Sequence, residues 1–248
     1  MIPKLYDKTG KTLLGELTNC IDCYVEEERN GTFSLTMTYP ITDELHHHLI
    51  YDNIIRCRAN DEQLDEPFRI YHTERIIKGT ISIKALHQSF DLAYDFVANV
   101  SFENQSCEYA LNSLFRESQF SKDYKGHSDI VNAQSFTASA KNIWEAIVGS
   151  SGSIIDTYGN GAEIKRSNKD IYVYNNRGTD RGVCIEYSVN MMDEALQVDT
   201  SELTTAMIGF ANYYDENGEQ RVIETGLIRS SLVDSYAHPF ITRKDFTD

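Results

Sequence analysis

Four absences narrow this 248-residue chain before any motif is considered. No stretch approaches the roughly 18 consecutive apolar residues of a membrane-spanning helix, so no helical span is expected. The opening Met1-Ile2-Pro3-Lys4-Leu5-Tyr6-Asp7-Lys8 lacks the apolar run of a secretory signal, and synthesis and folding in a cytosol are expected. Basic residues are scarce: 23 Lys and Arg stand against 38 Asp and Glu, a formal net charge of −15. Gripping nucleic acid requires clustered cations that displace counterions from phosphates, so that class is disfavoured. A protein that lets DNA pass without holding it stays open. Finally, the chain has no G-x-S-x-G elbow, no H-E-x-x-H helix and no His placed beside a Cys as a nucleophile pair. Nothing in it composes a catalytic centre, and no cofactor or metal ligand set is expected.

What remains is a globular composition. Hydrophobic residues make up 41%, and the aromatics are 15 Tyr, 11 Phe and one Trp, which fits one large domain or two to three small ones. Five cysteines are an odd number in a chain without a signal, so disulfides are not expected. Cys20-Ile21-Asp22-Cys23 is a C-x-x-C, but no second pair completes a zinc ribbon. It also runs into the strand-like Tyr24-Val25-Glu26-Glu27-Glu28-Arg29 rather than into a helix. These thiols read as small half-buried side chains.

The first third alternates. Thr32 to Tyr39 is polar and apolar at period two, Asn30-Gly31 supplies the turn before it, and Pro40 ends the ladder. A short helix over Asp43 to Leu49 capped by Thr42, strands near Ile54–Arg58 and Phe68–Ile77, and a hairpin through Lys78-Gly79-Thr80 into Ile81–Ala85 follow. Near residue 100 the period changes. Ser106 is placed to cap an amphipathic helix over 107–118, and Ser139 to open a second one ending at Gly149-Ser150-Ser151-Gly152. Short strands are expected at Ile154–Tyr158, Ala162–Lys165, Ile171–Tyr174 and Val183–Tyr187, then at Leu203–Ala211 and Arg221–Thr225. The end, Arg243 to Asp248, reads as a polar tail. The fold class is therefore α+β, mainly β, divided as a first β-barrel-like domain (1–95), an α+β domain (96–190) and the start of a further β domain (191–248).

Candidate chemistry is thin. His46-His47-His48 suggests a metal, yet adjacent helical residues point about 100° apart and cannot converge on one ion. The glycines at 149–152 and 159–161 do not lie between a strand and a helix, as a phosphate cradle requires. Glu26-Glu27-Glu28 reads as charge on an edge strand that discourages edge-to-edge pairing. The tyrosines suit half-buried sheet positions, with a sugar-stacking surface as the alternative.

The order of several blocks resembles a known family. Glu26-Glu27-Glu28-Arg29-Asn30-Gly31-Thr32-Phe33-Ser34-Leu35-Thr36-Met37-Thr38-Tyr39-Pro40 resembles the E-x-N-G-x-Y-x-L-x-F-x-Y-P opening of phage minor structural proteins. Pro67-Phe68-Arg69-Ile70-Tyr71 and Ala85-Leu86-His87-Gln88-Ser89-Phe90-Asp91-Leu92 are similar to that family's P-F-R-I-Y and A-x-H-x-x-Y-D-L blocks. Gly152 to Gly159 and Asn176-Arg177-Gly178-Thr179-Asp180-Arg181-Gly182-Val183 are similar to its G-x-x-x-D-x-Y-G-G and N-R-G-x-D-R-G-V. Asn160 replaces a glycine and Phe90 the usual tyrosine, two changes that the turn and the packing tolerate. On these blocks the chain is identified as a member of the prophage tail-associated (endopeptidase tail) proteins, in its N-terminal baseplate-hub region.

The resemblance implies a tail-hub-like fold of β-barrel domains with an inserted α+β domain, the second barrel being incomplete here. It also implies a homotrimer capping the tail tube at the virion tail tip, after synthesis in the host bacterial cytoplasm. The implied partners are other copies of the chain, the distal tail protein ring and the tape-measure protein, with DNA passing through unbound. Longer members carry a cell-wall hydrolase downstream, an activity not transferred to these residues. The competing readings are a tail-associated peptidoglycan hydrolase and a module that binds host-wall saccharides.

Overall fold

Period-two patterning in the first third builds a seven-stranded antiparallel sheet. Its strands are β1 (Lys4–Tyr6), β2 (Leu13–Glu16), β3 (Asp22–Glu27), β4 (Phe33–Pro40), β5 (Ile54–Cys57), β6 (Glu66–Ile76) and β7 (Thr80–His87), in the order β2-β1-β5-β6-β7-β4-β3. Along β4 every second residue is buried, and Leu35 and Met37 face Leu5, Phe68 and Ile83 in one apolar core. No ladder joins β2 to β3 among the described residues, so the sheet is curled but open, where a closed barrel is expected from the sequence.

The computed structural model describes all residues except 1, 77, 78, 150, 160, 179–181, 183, 185, 187–199, 201, 202 and 248. It comprises two units, residues 1–180 and 181–248. The first unit holds a second core around α1 (Cys107–Glu117). A ribbon of β8 (Phe96–Gln105) with β10 (Gln134–Asn142) and a sheet of β9 (Lys125–Ser128), β11 (Glu163–Ser167) and β12 (Asp170–Tyr174) surround it. Leu111, Leu114, Ile147 and Ile171 are fully buried there. Gly126 allows α1 to lie directly on β9, because a Cβ there would sit 2.3 Å from Leu111 Cβ. The Asn112 side chain completes the contact, accepting from Gly126 N at 3.0 Å and donating to its carbonyl at 2.8 Å.

Three local expectations change here. The short helix is a 3-10 turn, Glu44–His48, and Asp43 rather than Thr42 caps it. Ser139 does not open a helix: β10 continues to Asn142 because Ser139 and Lys141 pair with Asn99 and Val97 of β8. Asn142 is the cap of α2 (Ile143–Val148), accepting from Glu145 N at 2.7 Å. Ile154–Tyr158 is a helix, α3, although its β-branched residues favour a strand. Ser153 caps it through Asp156 N, and Ile154 and Tyr158, four residues apart, bury one face. The segment 183–187 lies outside the described residues apart from 184 and 186.

In the second unit β13 (Ala206–Tyr214) is central. It pairs antiparallel with β14 (Gln220–Glu224) and β15 (Ile228–Arg229) and parallel with β16 (Ile241–Asp245). The end that reads as a polar tail is thus largely a strand. Alternation misses it because β16 is exposed at every position, so no buried face marks the sequence.

Candidate functional site

The residues singled out in the sequence scatter. The His46 ring lies tilted against His47 at 3.8 Å, and His46 donates from Nδ1 to the Asp43 carbonyl at 2.7 Å. Gly149 caps α2 through the Glu145 carbonyl. Among the described residues no group of three His, Cys, Asp or Glu side chains is placed to hold a metal ion. No described helix is long and apolar enough to cross a membrane.

Charged and polar groups instead concentrate along a seam inside the first unit, where the seven-stranded sheet meets β11. It begins at the β3–β4 turn. Asn30 adopts φ 53°, which Asn tolerates, and its side-chain amide behaves like a peptide added to the β11 edge. It donates to Ala162 O and accepts from Ile164 N, both at 2.8 Å. Beside it Arg29 donates to Gly161 O at 2.7 Å and Arg166 Nη1 to Gly31 O at 2.7 Å. Glu27 receives a two-pronged contact from Arg177 at 2.8 and 2.9 Å.

At the other end of the seam Glu66 is almost fully buried. Its carboxylate accepts from Ser167 Oγ and Asn168 N at 2.7 Å each, and from His87 Nε2 at 3.2 Å. Burial raises the carboxyl pKa, yet these three donors outweigh it and hold the group below its ordinary value. His87 is fully buried, stacked on Phe33 at 4.6 Å with Phe68 edge-on. Ser89 N donates to its Nδ1, so the ring proton sits on Nε2 and faces Glu66. Burial pushes the imidazole below its ordinary pKa, against the pull of Glu66.

Ser89 Oγ, 2.9 Å from His87 Nδ1, completes a Ser-His-Glu string. It has the residue types of a hydrolytic triad with the two imidazole nitrogens exchanged, but Ser89, His87 and Glu66 have relative exposures of 0, 0 and 1%. No substrate carbonyl can reach Ser89. The string serves the cap of the 3-10 turn Gln88–Tyr94. The tyrosines of β12 give no sugar platform either. Tyr172 stacks against His127 at 4.6 Å and Tyr174 at 5.8 Å, so its faces meet neighbouring rings rather than a pyranose.

Arg166 is the least expected member. Its side chain is fully buried, with the guanidinium 5.0, 5.5 and 5.4 Å from the rings of Phe33, Phe90 and Trp144. Nε and Nη2 have no hydrogen-bond acceptor, although Glu27 lies 3.5 Å from Nη2. Burial lowers its pKa to about 10. A charge held this way is expensive, so Arg166→Met is expected to change stability by less than about 1 kcal/mol. Arg166→Ala, which leaves a void among three rings, is expected to cost about 3 kcal/mol or more. Denaturant unfolding of both variants checks the pair, and equal losses would count against this account.

Three of the five blocks that carry the resemblance therefore meet in one place. Glu27, Asn30 and Gly31, then His87, then Arg177 all contribute to the seam, and Arg69 with Asp91 forms a two-pronged pair beside it. Sequence reading quoted these residues as blocks but missed Glu66 and Arg166. The only available signal was a charged residue at an inward position of a strand.

With this architecture in view, the chain has the fold of phage and prophage tail proteins, matched over its whole length. Prophage tail protein gp18 from Listeria monocytogenes EGD-e is similar at a TM-score of 0.60 and 16% identity, over 100% of this chain and 72% of that one. The tail protein of Neisseria meningitidis MC58 is similar at a TM-score of 0.54 and 10% identity, again over 100% and 72%. No family model matches the sequence. No curated protein matches it either.

Proposed function

We propose that this chain is a structural protein of a phage or prophage tail tip, acting as a baseplate hub rather than an enzyme. The observation that carries the reading is the tail-protein fold over the full chain, with its motif blocks used for an internal lock instead of a reaction. In this reading three copies cap the tail tube beneath the distal tail protein ring, next to the tape-measure protein. They form part of the channel through which DNA leaves. The two separate cores of residues 1–180 support a division near residue 95. The curled seven-stranded sheet is the first barrel-like domain, and a further β domain includes the second unit. An excess of 15 negative charges suits a lumen that repels phosphates instead of adhering to them.

The test is location and inertness. An epitope-tagged chain incorporated into tails is expected at the tip by immunogold electron microscopy; labelling along the tube or at the head would refute the hub role. The purified chain is expected to leave the turbidity of isolated cell walls unchanged. Release of soluble wall fragments, abolished by one carboxylate substitution, would restore the hydrolase reading.

A further inference from the structure

The C-x-x-C motif has a third member that the sequence does not reveal. Cys20, Cys23 and Cys57 line one cavity of about 480 Å³ with Pro3, Val25 and Ala59. Cys57 ends β5 inside the first core, and Cys20 and Cys23 pack against that core from β3 and the turn before it. In the sheet order β3 is terminal, and three strands, β4, β7 and β6, separate it from β5. No backbone ladder joins them. Their side chains line the same cavity only because the sheet curls. All three are free.

We propose that Cys23 and Cys57 form a latent disulfide that closes the curled sheet across its open side when the surroundings become oxidising. The oxidant is a small disulfide such as oxidised glutathione. The Cys23 thiolate attacks one glutathione sulfur, forming a mixed disulfide and releasing one reduced glutathione. The Cys57 thiolate then attacks Cys23 Sγ and expels the second glutathione. Two protein protons are given up, and one glutathione disulfide is reduced to two thiols.

Cys20 is engaged within its own turn, donating to Asp22 O at 3.2 Å. The Cys23–Cys57 link also closes a much longer loop than Cys20–Cys23, and so constrains the unfolded chain more. The neighbouring Cys20 thiol lowers the Cys23 pKa, but the Cys57 thiol and burial prevail and push it up to about 12. Few thiolates exist at neutral pH, so the pair stays reduced during synthesis. Its oxidation is expected to quicken about tenfold per pH unit on the alkaline side. The chemistry stands apart from the tail reading; only on that reading does release from the host supply the oxidising surroundings.

The experiment exposes the folded chain to excess oxidised glutathione at mildly alkaline pH, followed by alkylation and peptide mass mapping. The exposed Cys184 serves as an internal control for reagent access. The expected product is a Cys23–Cys57 cross-link accompanied by a Tm increase of about 5–10 °C. Dithiothreitol reverses it, Cys20→Ser retains it, and Cys23→Ser and Cys57→Ser each abolish it. Glutathione on Cys184 alone, a Cys20–Cys23 bridge, or a Cys23–Cys57 bridge that lowers Tm would each overturn the proposal.

Discussion

Glu66→Ala is expected to remove about 3–5 kcal/mol of stability, the largest loss from any single substitution in the seam. The carboxylate joins three pieces of chain that are distant in sequence: His87 at the end of β7, and Ser167 with Asn168 at the β11–β12 turn. Removing it leaves the Asn168 N–H and the His87 Nε2–H without their acceptor in a buried site, and each buried donor left unsatisfied costs about 1–3 kcal/mol. Glu66→Gln keeps the size and one carbonyl oxygen, so it is expected to lose roughly half as much. Guanidinium denaturation followed by tryptophan fluorescence reads the seam directly, since Trp144, the chain's one tryptophan, lies 5.4 Å from the Arg166 guanidinium on its β11 side. A loss below about 1 kcal/mol would mean that the seam is not what joins the two halves of the first unit.

Acid is expected to weaken the first unit in two stages. His87 has a depressed pKa in the folded chain, so below about pH 6.5 the unfolded chain binds a proton that the folded one refuses. Stability therefore falls with falling pH, at up to about 1.4 kcal/mol per unit for one proton. Glu66 is likewise depressed, and so is Asp95. Burial raises the Asp95 pKa, but Ser121 Oγ and the backbone N–H groups of Phe120, Phe96 and Gln119 outweigh it. For these carboxylates the stabilisation is present above their unfolded pKa values, near 4, and is lost as pH falls through the lower folded values. The second stage is thus steeper. Equilibrium unfolding in a series from pH 8 to pH 3 checks both stages. His87→Gln, which keeps a donor toward Glu66 but does not titrate, is expected to erase the first stage and keep the second. An unchanged first stage in that variant would place its origin elsewhere.

The sequence by itself determined the parts whose signal is local. Thr32 to Tyr39 shows its buried face in the order of its residues, and Ser106 followed by Cys107, Ala110, Leu111 and Leu114 marks α1 with its cap. The charge balance and the missing motifs likewise need no structure.

Only the tertiary structure decided the rest. At Ile154–Tyr158 a serine cap and a buried i,i+4 pair overrode β-branched propensity, whereas at Ser139 to Asn142 pairing with β8 overrode a plausible cap. Arg166 reads in sequence as a surface charge on a strand, and its burial among Phe33, Phe90 and Trp144 depends on residues 133 to 22 positions away. Cys57 joins Cys20 and Cys23 for the same reason, through the curl of a sheet. Period and capping act within one or two turns of chain and can be read along it. Burial of a charge and the meeting of thiols are set by which distant strands fold together, and that is decided by packing over the whole unit.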